Sequence, residues 1–149
     1  MSTIRYETDI VAWAHEQAAL IRAGQLEHLD LVNLAEEIEE VSKSEQRELM
    51  SRMIVLLAHL LKWHFQPEYP NKKSWNATIR TQRESIEEHL EDAPSLRSKL
   101  ADEKWLHKVY RDARLSASNE TGIDFDDFPE SLPWSIEQVL MKGWYPTAQ

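Results

Sequence analysis

A histidine inside an apolar run is the residue of this sequence best placed to do chemistry. His59 is the one strongly polar side chain in residues 53–61, which are apolar almost all the way round a helix and are therefore expected to be buried. A buried imidazole needs hydrogen-bonding partners, because leaving it unpaired would cost roughly 1 to 3 kcal/mol. At about 100° per residue, Glu48 and Glu45 fall beneath His59 on the same side of a continuous helix.

The next predicted helix supplies a cation to the same region. Gln82 and Arg83 fall between the apolar positions Ile79 and Ile86, so at least one of the two polar side chains faces the core. A network that joins His59 to an acid and to Arg83 is therefore geometrically reasonable. The candidate interhelical polar site comprises Glu37, Glu45, Glu48, His59 and Arg83.

The sequence leaves two interpretations of this candidate site open. The first, which is preferred, is a fully paired structural network that satisfies buried polar groups and does no chemistry. The second is a pocket between helices in which a neutral histidine and carboxylates bind a metal or act as a general base. Neither a Glu-x-x-His pair nor a His-Glu-x-x-His motif occurs, so no metal ligand is predicted.

A second constellation combines cations with aromatic rings. Residues 62–83 hold five basic residues against the single acid Glu68. Cations on phosphates and rings against bases are typical of a surface that binds single-stranded nucleic acid. The alternative, which is preferred, is that the cations pair with the chain's own acidic second helix and that the rings belong to the core. The candidate basic-aromatic surface comprises Lys62, Trp63, Lys72, Lys73, Trp75 and Arg80.

Composition limits the classes of function. With 26 acidic and 17 basic residues, the chain of 149 residues has a formal charge of −9, and a field of that sign repels nucleic-acid phosphates and anionic membranes. The absence of cysteine excludes disulfides and thiolate metal sites and suits a cytoplasmic location. Three scattered glycines leave no phosphate-binding loop, so no cofactor is predicted. No apolar run reaches the roughly 20 residues that a membrane-spanning helix needs.

Apolar residues at three- and four-residue spacing predict an all-α fold, a bundle of four main helices followed by a C-terminal tail with one short helix. Because a straight helix over residues 30–65 would be about 54 Å long, a kink or break is expected near Ser42. The chain is expected to be one domain, with the bundle in 1–122 and a wrapping tail in 123–149. The predicted helices are 9–23, 30–65, 74–92, 95–120 and 135–141, the last opened by a Ser135-x-x-Gln138 capping box.

Six segments spread along almost the whole chain are specific when taken together. They are Tyr6-Glu-Thr-Asp with Trp13, Leu31-Val-Asn-Leu-Ala-Glu-Glu-Ile-Glu, Leu57-Ala-His-Leu-Leu-Lys-Trp63, Ser74-Trp75 with Ile79-Arg-Thr-Gln-Arg83, Pro94-Ser-Leu96, and Phe128-Pro-Glu130. On these segments the chain resembles the bacterial domain-of-unknown-function family 29. The resemblance implies an all-helical fold, and because that family has no assigned activity, it implies no catalytic residue for this sequence.

The function that the sequence favours is a small, noncatalytic interaction or assembly module in the cytoplasm, which binds a partner protein or a second copy of itself. In this hypothesis the acidic second helix is a contact face for a basic partner protein or for a second copy of the chain; the alternative, which is preferred for this helix taken by itself, is a solvated face. The alternative is a ligand-binding or metal-binding domain, or an enzyme, with an interhelical pocket around His59. Binding of single-stranded nucleic acid through residues 62–83 is the least favoured of the three.

Overall fold

Helices connected by turns and irregular segments make up the part of the protein that its structure, a computed structural model, describes, residues 4–147. No β-strand occurs within these residues, so the prediction of an all-α fold is confirmed. The α-helices are α1 (Ile10–Arg22), α2 (Leu31–Phe65), α3 (Lys72–Asp92), α4 (Glu103–Thr121) and α5 (Ile136–Leu140). Short 3-10 helices lie at Leu26–His28, Pro94–Ala101 and Phe125–Asp127.

The chain divides into two compact units, an N-terminal unit of residues 1–45 and a C-terminal unit of residues 46–149. The helix α2 begins in the first unit and ends in the second. The division expected from the sequence, a single domain with its bundle in 1–122 and its tail in 123–149, stays a prediction. None of the helices described combines the length and apolar character needed to cross a lipid bilayer.

The long helix α2 is unbroken. Of the kink or break expected near Ser42, the break was wrong, because α-helical structure continues through 35 residues from Leu31 to Phe65, and a kink stays a prediction. The physical reason is local: residues 31–65 contain neither proline nor glycine, the residues that most often interrupt the hydrogen-bond ladder of a helix. The length argument failed because it assumed that a helix of this size must fit within one compact body.

The core of the C-terminal unit is organised around the second half of α2. The sequence placed residues 53–61 in the core, and all of their large apolar side chains except those of Ile54 and Val55, which are partly exposed, are fully buried. They form one hydrophobic cluster with apolar residues of α3, α4 and the tail, among them Ile79, Val109, Phe128 and Val139. The tail is therefore part of the core of this unit.

The fourth predicted helix is two helices. Where one helix was expected over residues 95–120, a 3-10 helix at Pro94–Ala101 precedes α4. Asp102 separates them with extended backbone angles, φ −89° and ψ 106°, and its carboxylate accepts hydrogen bonds from the backbone N–H groups of Lys104 and Trp105. An aspartate at this position satisfies the free N–H groups of the next helix start, which makes the interruption favourable.

Local caps define the end of α4 and the start of α5, and the capping box predicted at Ser135 is confirmed. The left-handed residue Gly122, with φ 80°, closes α4, and its N–H donates to the carbonyl of Ser118. The capping box that opens α5 is present, with the hydroxyl of Ser135 accepting from the N–H of Gln138 and the Gln138 side chain accepting from the N–H of Ser135.

Truncation of the core leucines tests the placement of α2. Because Leu57 and Leu60 are completely buried, we expect Leu57→Ala or Leu60→Ala to lower the free energy of unfolding by about 2 to 5 kcal/mol, measured by urea denaturation. Leu115→Ala is the matched control, since Leu115 is half exposed on α4 and its truncation should change the stability by less than about 0.5 kcal/mol. A loss below about 1 kcal/mol for both core variants would contradict the burial of this helix.

Candidate functional site

The residues of the predicted polar site are distributed over both units. Glu37 and Glu45 belong to the N-terminal unit, whereas Glu48, His59 and Arg83 belong to the C-terminal unit. Among the contacts described for the last three residues, none joins one of them to another. Each has other partners, so His59, Glu48 and Arg83 are not joined directly to one another, and the wider network expected from the sequence stays a prediction.

His59 bonds within its own helix. Its ring is only partly buried, and its Nδ1 lies 2.8 Å from the carbonyl oxygen of Val55, one turn earlier. The tautomer with the proton on Nδ1 donates to that carbonyl. Burial lowers the pKa of His59 below its ordinary value, and the positive charge of Lys62 acts in the same direction, against the Val55 carbonyl and the carboxylate of Glu120. The imidazole is therefore held neutral, with its Nδ1 engaged.

Glu48 contacts a histidine that the sequence analysis missed. One carboxylate oxygen accepts a hydrogen bond from Arg52, 3.2 Å from its Nη2. The other lies 3.5 Å from Nε2 of His89, a buried residue of α3. The signal in the sequence was the position of His89, three residues after Ile86 on the apolar stripe of α3. Glu48 and His89 form an ion pair when the imidazole is protonated.

Arg83 is the most deeply buried charge of the predicted site. Its side chain is 4% exposed. Its Nε donates to the carbonyl oxygen of Val139 over 2.9 Å, and its Nη2 donates to the carbonyl oxygen of Trp144 over 2.7 Å. Its Nη1 is buried without a hydrogen-bond partner. The guanidinium thus joins α3 to the C-terminal tail through two backbone carbonyls, 56 and 61 residues further along the chain.

Two residues assigned to the basic-aromatic surface, Lys62 and Trp75, are buried. The ammonium group of Lys62 is buried and donates to the carboxylate of Glu120, and this hydrogen bond lowers the pKa of Glu120. The same ammonium lies 5.5 Å from the ring centre of Trp75, which is itself buried and stacks on Tyr69 at 4.3 Å. Lys62 and Trp75 therefore have intramolecular partners.

Of the remaining members of that surface, two have ring contacts within the chain and two are exposed. The ring of Trp63 stacks on Tyr145 at 4.5 Å, and the ammonium of Lys72 lies 4.7 Å from the centre of the Trp63 ring. Lys73 and Arg80 are exposed. Each of the two tryptophan rings already stacks on a tyrosine of the same chain. That face of the ring is therefore not available for stacking with a nucleic acid base.

The N-terminal unit is held together by a small polar cluster around Asp30. The carboxylate of Asp30 accepts from Nε1 of Trp13 over 3.0 Å and from the side-chain amide of Asn33 over 2.8 Å. The backbone N–H of Asp30 donates to the side chain of Gln17 over 2.8 Å. The hydrogen bond from Asn33 is the main reason why the pKa of Asp30 is lowered. Trp13 and Gln17 are the buried side chains of α1.

A tyrosine in the turn before α1 also contacts this cluster. The hydroxyl of Tyr6 donates to the carboxylate of Glu37, and this bond raises the pKa of the phenol. The edge of the Tyr6 ring meets Trp13, with ring centres 4.9 Å apart. Glu37, which the sequence assigned to the polar site, is therefore a structural acceptor within the N-terminal unit.

Most of the large apolar side chains that are exposed among the described residues lie in the N-terminal unit. Of the eleven large apolar side chains that are exposed among residues 4–147, eight belong to this unit. On α2 the residues Leu31, Ile38 and Val41 are between 64% and 70% exposed, and Leu34, on the same side of the helix, is partly exposed. We call these four residues the apolar seam. The full set is Ile10, Val11, Ile21, Leu26, Leu31, Val32, Ile38 and Val41.

The negative charge of the chain is concentrated in the same unit. Residues 1–45 contain ten acidic and three basic residues, a formal charge of −7, whereas residues 46–149 contain sixteen acidic and fourteen basic residues, a formal charge of −2. Glu36 and Glu39 are exposed on the other side of α2, whereas Glu37, Glu40 and Glu45 line a pocket together with Val41 of the apolar seam. The N-terminal unit thus presents apolar and acidic surface together.

Comparison with known proteins identifies the family and nothing further. A family model described as Domain of unknown function DUF29 matches residues 5–145, which confirms the resemblance found in the sequence. No curated protein and no solved structure matches the chain. The description of the family names no activity, ligand or partner, so it assigns no role to any residue of these sites.

The lowered pKa of His59 predicts a loss of stability in mild acid. A group that is harder to protonate in the folded state than in the unfolded state gives stability that is complete above its unfolded pKa, near 6.5, and decreases as the pH falls towards the folded pKa. We expect wild type to lose more stability than His59→Gln between about pH 8 and pH 5, measured by urea unfolding across that range. A stability difference between the two proteins that does not change with pH would contradict the burial of the imidazole.

Removal of the Asp30 carboxylate tests the polar cluster of the N-terminal unit. Asp30→Ala leaves the indole N–H of Trp13 and the side-chain amide of Asn33 without their acceptor, so we expect faster amide hydrogen exchange throughout α1 and the first turns of α2. Glu39→Ala is the control, because Glu39 is exposed on the same helix. Equal exchange rates in the two variants would show that the cluster does not stabilise this unit.

Proposed function

The chain belongs to the DUF29 family, whose description assigns no activity, and from its own surfaces we propose that it is a noncatalytic interaction module whose N-terminal unit binds a basic amphipathic helix of a partner protein. The observation that carries this proposal is the exposure of eight large apolar side chains in a unit with a formal charge of −7. A cytoplasmic location stays a prediction from the absence of cysteine.

Covering the exposed apolar side chains supplies the driving force for binding. Soluble proteins expose single apolar residues routinely, but a concentration of them marks an interaction surface. On α1 and α2 of the N-terminal unit, only Trp13 and Gln17 are buried, whereas Val32 is 77% and Ile38 70% exposed. Removing such side chains from water is favourable in proportion to the area that a partner covers.

The spacing of the apolar seam selects a helix as the occupant. Leu31, Leu34, Ile38 and Val41 follow each other at intervals of three, four and three residues, the spacing of the a and d positions of a coiled coil. The seam covers about 15 Å of helix. Recognition of one amphipathic helix by another uses anchors at these intervals.

The charge of the N-terminal unit favours a basic partner over a second copy of the chain. Two N-terminal units would bring together two charges of −7, and repulsion between like charges opposes such a contact. A helix with lysine or arginine beside its apolar stripe instead meets the opposite charges of Glu37, Glu40 and Glu45, which line a pocket together with Val41 of the seam. The same attraction accelerates association at low ionic strength.

A designed peptide tests the proposal directly. The probe is a synthetic helix with leucine at its a and d positions and lysine at the flanking positions, and its control is a scrambled peptide of the same composition. We expect saturable binding of the first peptide to wild type, measured by calorimetry, and at least about tenfold weaker binding to Ile38→Glu. Leu115→Glu is the matched control variant, because Leu115 is an exposed apolar residue of the C-terminal unit.

Three outcomes would overturn this proposal. Equal binding of the peptide to Ile38→Glu and to Leu115→Glu would show that the seam is not the site. No binding to wild type at low salt would remove the basic helix as the partner. A stable dimer in sedimentation experiments that Ile38→Glu dissociates would show that a second copy of the chain covers the seam.

A further inference from the structure

A pocket in the C-terminal unit collects three cations and one acid. It lies beside α3 and has a volume of about 410 Å³, a size typical of sites for small molecules. Arg83, Arg97 and Lys142 line it together with Glu87, and Ile86 and Leu140 contribute apolar wall. All of these residues belong to the C-terminal unit, so the pocket is independent of the surface proposed to bind a partner helix.

Arg83 places an uncompensated charge at the wall of this pocket. Its Nε and Nη2 donate to neutral backbone carbonyls, and Nη1 has no partner. No carboxylate pairs with its guanidinium among the contacts of the described residues; besides the two carbonyls, the guanidinium faces the ring of Tyr145, whose centre is 5.6 Å from its Cζ. Buried charges in proteins are ordinarily paired with an opposite charge.

The burial of Arg83 without a paired carboxylate affects the electrostatic potential in the pocket. Withdrawal from water lowers the pKa of Arg83 below its usual range, but a guanidinium still keeps its proton near neutral pH. Its field is weakly screened on the protein side and emerges where solvent is nearest, which is the pocket that it lines. Arg97 and Lys142 are exposed and add mobile positive charge at the mouth.

We propose that this pocket binds a small organic anion that carries two negative charges and an apolar portion. Three cations against Glu87 leave a formal charge of +2, which a dianion neutralises. Arg97 and Lys142 contact the anionic groups directly, and Arg83 attracts them from behind the wall. The apolar portion lies against Ile86 and Leu140.

Phenyl phosphate and benzene-1,3-dicarboxylate are the probes for this site, because each is a dianion on an aromatic ring near pH 8. We expect saturable shifts of backbone amide resonances in residues 83–97 and 140–142 of the full chain with at least one of them, and the tighter of the two distinguishes a phosphate from a carboxylate ligand. Inorganic phosphate should bind more weakly, because it has no apolar portion, and neutral phenol should cause no saturable shift at the same concentrations.

Variants of the exposed cations keep the fold and change the site. Arg97→Gln and Lys142→Gln should each weaken binding about twofold to fivefold, and the double variant about tenfold. Glu87→Gln should strengthen binding by a similar factor, since it removes the one acid of the wall. Arg80→Gln is the charge-matched control, because Arg80 is exposed on α3 and does not line the pocket.

The proposal fails if neither dianion causes saturable shifts, or if the double variant binds as tightly as Arg80→Gln. Binding of inorganic phosphate with the same affinity as phenyl phosphate, unchanged by any of these substitutions, would show an adventitious ion only. The partner-helix experiment does not depend on these results, because Ile38 lies in the other unit.

Discussion

Burial of the second half of α2 constrains the whole C-terminal unit. Four leucines of this half point in several directions and are fully withdrawn from water: Leu56, Leu57, Leu60 and Leu61. The helix therefore needs apolar partners on several sides. Residues of α3, of α4 and of the segment after α4 supply them in one cluster. The first half of the same helix has no such cover: its apolar seam remains exposed. One helix therefore places a closed core and an open apolar surface in two different units.

The fold was largely readable from the sequence because its signals are local. Caps such as Ser135 with Gln138, and the closing Gly122, act on neighbouring backbone groups. The interruption at Asp102 uses an equally local signal, an aspartate that can cap, but the apolar periodicity on both sides concealed it. Exposure of Ile38 and Val41 was not readable, because an amphipathic stripe predicts that a face will be covered and does not say by which molecule.

The candidate site was less predictable, for a reason that Arg83 illustrates. The sequence placed Arg83 or its neighbour Gln82 towards the core, and Arg83 is buried. Its acceptors, however, are the carbonyls of Val139 and Trp144. Every residue carries a carbonyl, so no side-chain pattern reveals such a partner. An argument from side-chain types looks for an acid to pair with a buried arginine. It therefore assigned Glu45 and Glu48 to the network, whereas the partners of Arg83 are backbone carbonyls. His59 likewise bonds to the carbonyl of Val55.

The hydrogen bonds from Arg83 to the tail also constrain the order in which parts of the C-terminal unit can fold. A ribosome makes the chain from its N-terminus, so α3 exists well before Trp144 is synthesised, 61 residues after Arg83. Until then the guanidinium has no carbonyls to replace its water, and burying it would be costly. Burial of Arg83 in its observed surroundings therefore has to wait for residues 139–144. The tail completes the core around α3 only after α3 itself has been made.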